Sequence, residues 1–229
     1  MLNFSFLSKL PPYNYYKESL LLQSDLPGGG AGGGAFPYQL SALTGGTITV
    51  TSYKNHPGVF QVSSAAGANS GYVIWAAQQA GILLSGREHF ELIFNPASFT
   101  NVFHRFGFLD ILTAIPVVDG VYFEYNGSGV LTGKAANNSS YVTTASSFTL
   151  STGTWYRATI DINEDATIVV FRLYDSLGNV LWSDYILSGI PTTTGRETGI
   201  AAIIYNTVGG AALMAEFDFI LAGITKLVR

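Results

Sequence analysis

Cysteine is absent from this 229-residue chain. That excludes disulfides, thiolate metal sites and thiol nucleophiles, and fits assembly in a reducing compartment. Charge is scarce too: Asp, Glu, Lys and Arg together make up 11%, well under the roughly 25% of an average chain. No basic run occurs and the net charge is −4, which excludes a general nucleic-acid grip built on displaced counterions. No uninterrupted apolar stretch reaches the roughly 20 residues of a membrane-spanning helix. The opening MLNFSFLSKLPPYNYY has neither the basic start nor the long apolar middle of a secretory signal. Convincing helical periodicity is missing as well. The one weak candidate is Trp75–Leu84, which Gly81 interrupts.

What is present is alternation. Hydrophobic residues are 48% of the chain, enough for a sizeable core. In Thr154–Leu187, Tyr156, Ala158, Ile160 and Ile162 fall on one face, and Arg157, Thr159 and Asp161 on the other. Polar breaks at 163–165 and 175–179 separate this run from two more, the pattern of an antiparallel meander. Short strand-like segments recur from Thr47 to Leu221: 47–53, 58–63, 71–78, 89–94, 103–112, 120–126, 154–163, 167–175, 180–187, 199–206 and 213–221. The expected fold class is therefore all-β, an antiparallel β-sandwich over residues 18–229.

Residues 1–17 read as an extended N-terminal arm, because Pro11 and Pro12 block helix and interrupt sheet pairing. Leu2, Phe4, Phe6, Leu7 and Leu10 are its candidate assembly contacts. A Gly-rich loop at 28–34 is expected between the first strands. It leads into Phe36-Pro37-Tyr38 rather than Lys-Ser/Thr and a helix, so it does not read as a phosphate loop.

Several stretches resemble tailed-phage virion proteins with a concanavalin A-like lectin/glucanase jelly roll. They are Asn55-His56-Pro57-Gly58-Val59, Arg105-Phe106-Gly107-Phe108-Leu109-Asp110, Asp119-Gly120-Val121-Tyr122-Phe123-Glu124-Tyr125, the Trp155–Trp182 meander and Ala215-Glu216-Phe217-Asp218-Phe219-Ile220. The resemblance implies two antiparallel sheets, with sugar or protein contacts on the concave face or rim loops. It also implies a place in a virion made in the host cytoplasm. There the chain acts as a non-enzymatic structural protein, capsid decoration or tail or fibre component, and its partners are other virion proteins. The alternative is a carbohydrate-binding receptor-recognition module of the virion, with a host-surface glycan as partner. A homo-oligomer is expected, a trimer from the resemblance alone, with no nucleic acid and no membrane insertion.

The chemistry-bearing residues do not assemble into a catalytic set. Glu216 and Asp218 at i and i+2 share one strand face, roughly 7 Å apart. They resemble part of the Glu-x-Asp-x-x-Glu signature of the glucanases, but Leu221 occupies the third acidic position, leaving no acid/base partner. Asp161-Ile162-Asn163-Glu164-Asp165 opens like a calcium loop, yet Ala166 and Arg172 stand where an EF-hand needs Gly and Glu. It reads as a polar hairpin turn. A calcium site built from Asp110 or Asp119 is a weaker alternative. His56, His89 and His104 lack metal-ligand spacing, and His56 before Pro57-Gly58 is expected to bond backbone in a turn. Asn126 and Asn137 match glycosylation sequons by chance. No catalytic residue, metal or cofactor is expected. Of the 13 Tyr, 15 Phe and 3 Trp, most belong in the core, the tryptophans included. Tyr141 and Tyr205, at polar or Gly-rich boundaries, are the candidate glycan-binding residues.

Overall fold

The computed structural model describes residues 18–25, 39–76, 81–210 and 212–225. In chain order the strands are β1 (Glu18–Asp25), β2 (Gln39–Leu43), β3 (Thr47–Tyr53), β4 (His56–Ser63), β5 (Ser70–Ala76), β6 (Glu88–Pro96), β7 (Val102–Leu109) and β8 (Gly120–Tyr125). They continue as β9 (Val130–Asn137), β10 (Ser140–Thr143), β11 (Phe148–Thr149), β12 (Tyr156–Ile162), β13 (Val169–Tyr174), β14 (Val180–Ile186), β15 (Gly199–Asn206) and β16 (Leu213–Thr225). The first sheet runs β14-β13-β12-β6-β16-β4-β3, with β1 also on β16; the second runs β10-β9-β8-β7-β15-β5-β2, with β11 on β9. The chain is an antiparallel β-sandwich, and the described residues include no helix.

β16 joins the two ends of the first sheet's sequence. Its N-terminal half pairs with β4, its C-terminal half pairs with β1, and β6 runs along its other side. A register shift on the β6 side falls between Phe217 and Phe219. The alternation read in β12 is what the sheet uses: Tyr156, Ala158, Ile160 and Ile162 are core, while Arg157 and Asp161 make outward ion pairs.

The core between the sheets is aromatic. Phe94 of the first sheet meets Phe106 of the second at 5.2 Å between ring centroids, and Phe123 of the second meets Phe171 of the first at 5.1 Å. Each such ring taken from water contributes about 1.5–3 kcal/mol. The Phe171 ring also explains the composition of β9. A Cβ on Gly133 would come within 2.5 Å of that ring, so the strand needs glycine there. Strand β9, VLTGKAAN, is built of small residues with poor β-propensity, and the sequence pattern misses it together with β10 and β11. Long-range packing makes it a strand.

Trp75–Leu84 is not a helix where it is described: β5 runs through Ala76, and Ile82 bridges to Thr198. The arm at 1–17, with Leu2, Phe4, Phe6, Leu7 and Leu10, and the Gly-rich loop at 28–34 lie outside the described residues.

Candidate functional site

The outer face of the second sheet carries a buried charge cluster under a strap. β7 directs His104 and Phe106 inward, so Arg105 between them points out. Its cross-strand partner on β8 is Glu124, and Lys134 follows on β9. The Arg105 Nε donates to Glu124 Oε2 at 2.7 Å, and the Lys134 Nζ donates to Glu124 Oε1 at 2.5 Å. Burial alone would raise the Glu124 carboxyl, but the Lys134 and Arg105 partners outweigh it and hold the group below the usual carboxylate range. Both carboxylate oxygens are thus satisfied by cations, as a half-buried charge requires.

Residues 110–119 form the strap across this face. Its ends are tied by the Asp110 N–H donating to the Asp119 carbonyl at 3.0 Å and by Val118 N–H donating to Asp110 Oδ1 at 3.1 Å. Arg105 Nη1 donates to the Ile115 carbonyl at 2.8 Å. Asp119 accepts from Asn138 N–H at 2.8 Å and from Arg196 at 3.2 Å. Asp110 and Asp119, weighed above as calcium ligands, are therefore the fasteners of the strap. Val117 of the strap packs with Val73, Leu109, Tyr122, Ala201, Ile203 and neighbours in a second apolar cluster distinct from the inter-sheet core. Burial in this cluster pushes the Tyr122 phenol well above its ordinary range.

Tyr141 stands at the strap's open side. It is 46% exposed, and its hydroxyl donates to the Val117 carbonyl at 2.7 Å. The ring is therefore presented to solvent in a fixed orientation. Ala136 is its cross-strand partner on β9, so Lys134, two residues along, is a diagonal neighbour on the same face. Tyr205 is a different case. Expected at a boundary, it is only 4% exposed, stacked on Phe103 at 5.6 Å with the Arg105 guanidinium 5.8 Å from its ring centre. The reason is topological: β15 lies between β7 and β5, and every one of its residues is buried. Tyr205 supports the cluster from below and offers no face to a ligand.

The acidic pair on β16 lies on the outer face of the first sheet. Phe217 between them is core, and Glu216 accepts hydrogen bonds from Tyr53, Gln61 and Asn95. Asp218 pairs with His56 Nδ1 at 2.7 Å. His56 does not serve as a backbone-bonded turn residue: its ring stacks on Trp155 at 4.0 Å and 10° between planes. Trp155 is accordingly a half-buried outer-face residue rather than core, while Trp182 is core. Residues 163–167 form the expected polar turn, with Asn163 Oδ1 accepting from Thr167 N–H and Ile168 N–H.

The profile described as SO2946-like, C-terminal domain, matches residues 55–218. A crystallised protein of unknown function, SO2946 from Shewanella oneidensis MR-1, is similar in fold at 18% identity and a TM-score of 0.73, over 100% of this chain and 97% of that one. The CBM2 module of the evolved Dit of Lactobacillus casei BL23 phage J-1 is similar at 13% identity and a TM-score of 0.59, over 93% of this chain and 98% of that one. Peanut lectin is similar at 10% identity and a TM-score of 0.56, over 90% and 98%. These likenesses place the sandwich among concanavalin A-like folds. No curated protein sequence matches the chain.

Proposed function

The chain belongs to the SO2946-like C-terminal domain family, and from the strapped face of its second sheet we propose that it is a non-catalytic carbohydrate-binding sandwich. The observation that carries this reading is Tyr141, an exposed ring locked by its hydroxyl beside the Arg105–Glu124–Lys134 cluster. An aromatic face fixed before binding loses little entropy on contact. It offers a C–H stacking platform, and the neighbouring Lys134 ammonium has donors left after Glu124. The likeness to a lectin and to a carbohydrate-binding module supports the reading. The absence of catalysis rests on the acidic pair: Glu216 is engaged by three donors, Asp218 is held by His56, and Leu221 supplies no third carboxylate.

The test is a glycan array on the purified chain followed by Tyr141→Ala. Binding that falls about tenfold in the variant, with an unchanged melting temperature, supports the site. Binding that Tyr141→Ala leaves intact rejects it.

A second reading concerns place rather than chemistry. The likeness to a phage Dit module favours a virion structural component, on a capsid, tail tip or fibre, where copies of the chain and other virion proteins are its partners. Immunogold labelling of particles with antibody to the chain tests it. Label on purified virions supports this placement, and unlabelled virions with label elsewhere in the cell overturn it.

A further inference from the structure

The opposite face of the molecule holds a row of polar side chains that the Tyr141 reading does not use. Tyr53 of β3, Gln61 of β4, Glu216 of β16 and Asn95 of β6 stand on four neighbouring strands of the first sheet. The Tyr53 hydroxyl donates to Glu216 Oε1 at 2.6 Å, and Gln61 Nε2 donates to the same oxygen at 2.7 Å. Asn95 Nδ2 donates to Glu216 Oε2 at 2.8 Å. Glu216 is 5% exposed, a carboxylate nearly out of water and bonded only by these neutral groups. Such an arrangement is costly for a fold that could place an apolar residue there.

Asn95 Oδ1 has no hydrogen-bond partner, although the residue is only 8% exposed. Buried polar atoms are satisfied in the great majority of cases, and an exception calls for a cause. The row's donors are committed: Gln61 Nε2 also reaches the Tyr53 hydroxyl at 3.0 Å. Acceptors are in surplus, since Asn95 Oδ1 is unused and Gln61 Oε1 has one long contact, 3.4 Å from Thr49. Tyr53 is 44% exposed, with its ring fixed through the hydroxyl. At the other end Trp155 immediately precedes β12, whose Tyr156 pairs with Phe94, so Trp155 stands beside Asn95.

We propose that this row is a second carbohydrate site, on the face away from Tyr141, and that it takes a neutral oligosaccharide. Surplus acceptors select a ligand rich in donors, which vicinal hydroxyls supply. The uncompensated Glu216 carboxylate excludes uronates and phosphorylated sugars. The Tyr53 ring takes the apolar face of a pyranose. Four strands span three inter-strand spacings, about 14 Å, so the ligand is an oligosaccharide rather than a single sugar. This proposal does not rest on the Tyr141 reading.

The experiment uses the full chain, ¹⁵N-labelled, and follows the side-chain amides of Asn95 and Gln61. Neutral glucose, galactose and mannose tetrasaccharides are titrated to about 10 mM, enough to see millimolar binding, with tetragalacturonate as the charged control. The expected result is movement of both amides with at least one neutral tetrasaccharide and none with the uronate. Tyr53→Ala should weaken that binding about tenfold, Tyr53→Phe should recover most of the loss, and Tyr141→Ala should leave it unchanged. No movement with any neutral tetrasaccharide overturns the proposal. So does equal movement with the uronate, or binding that survives Tyr53→Ala.

Discussion

His104 predicts a stability maximum near neutral pH that one substitution should reshape. The residue is fully buried between the sheets, and neither ring nitrogen has a hydrogen-bond partner. Phe106, Tyr125 and Phe217 surround it at 4.6, 5.1 and 5.1 Å between ring centroids. Burial pushes its pKa down to about 3, against about 6.5 in an unfolded chain. Between those values the unfolded state binds the extra proton, so stability falls as pH falls. The limit is about 5 kcal/mol, at 1.36 kcal/mol per unit, with about 2 kcal/mol already lost at pH 5. His89 acts on the other limb. Desolvation lowers its pKa, but hydrogen bonds to Asp161 and Glu91 outweigh that and raise it to about 9. A raised folded-state pKa gives stability that is complete below about pH 6.5 and is lost as pH rises toward 9. The loss is about 2 kcal/mol by pH 8. The two limbs leave a maximum near pH 6.5. Urea unfolding from pH 4 to pH 9 measures it. His104→Leu should be more stable at pH 7, because two unpartnered buried nitrogens are removed, and its acid limb should be shallower. His89→Gln should flatten the basic limb. If wild type and His104→Leu lose stability in parallel from pH 7 to pH 4, the reasoning about His104 is wrong.

Gly133→Ala should destabilise the chain by about 1–3 kcal/mol, because its Cβ would come within 2.5 Å of the Phe171 ring; a urea midpoint within error of wild type would refute the packing argument. A screen over β-glucans and bacterial surface polysaccharides should release no reducing ends, and release that disappears in Glu216→Gln would show that the acidic pair on β16 is catalytic. Deleting residues 1–17 should leave the sandwich folded while abolishing incorporation into particles. Normal assembly of the truncated chain would move the anchor to the sandwich surface, and its unfolding would assign the arm to its own core.

The sequence by itself determined the class of fold and the inward face of the best-patterned strands. Alternation in β12 separates Tyr156, Ala158, Ile160 and Ile162 from Arg157, Thr159 and Asp161, and the sheet buries the first set as core. That holds because the two-residue period is a property of the strand itself. It also placed Glu216 and Asp218 on one face, with Phe217 on the other. What covers an outer face is not written in any local pattern. Tyr205 sits near a polar boundary in sequence, yet β15 is central in its sheet and lies beneath the strapped cluster. Strand β9 carries Gly133 and two alanines where local propensity argues against a strand, and the Phe171 ring from the opposite sheet supplies the reason. The polar row of Tyr53, Gln61, Asn95 and Glu216 draws on four strands separated by up to 163 positions along the chain, and His56 of β4 meets Trp155, just ahead of β12, only because the sheet order sets β16 and β6 alone between those strands. Local periodicity fixes which way a side chain points. Only long-range strand order decides what it meets there.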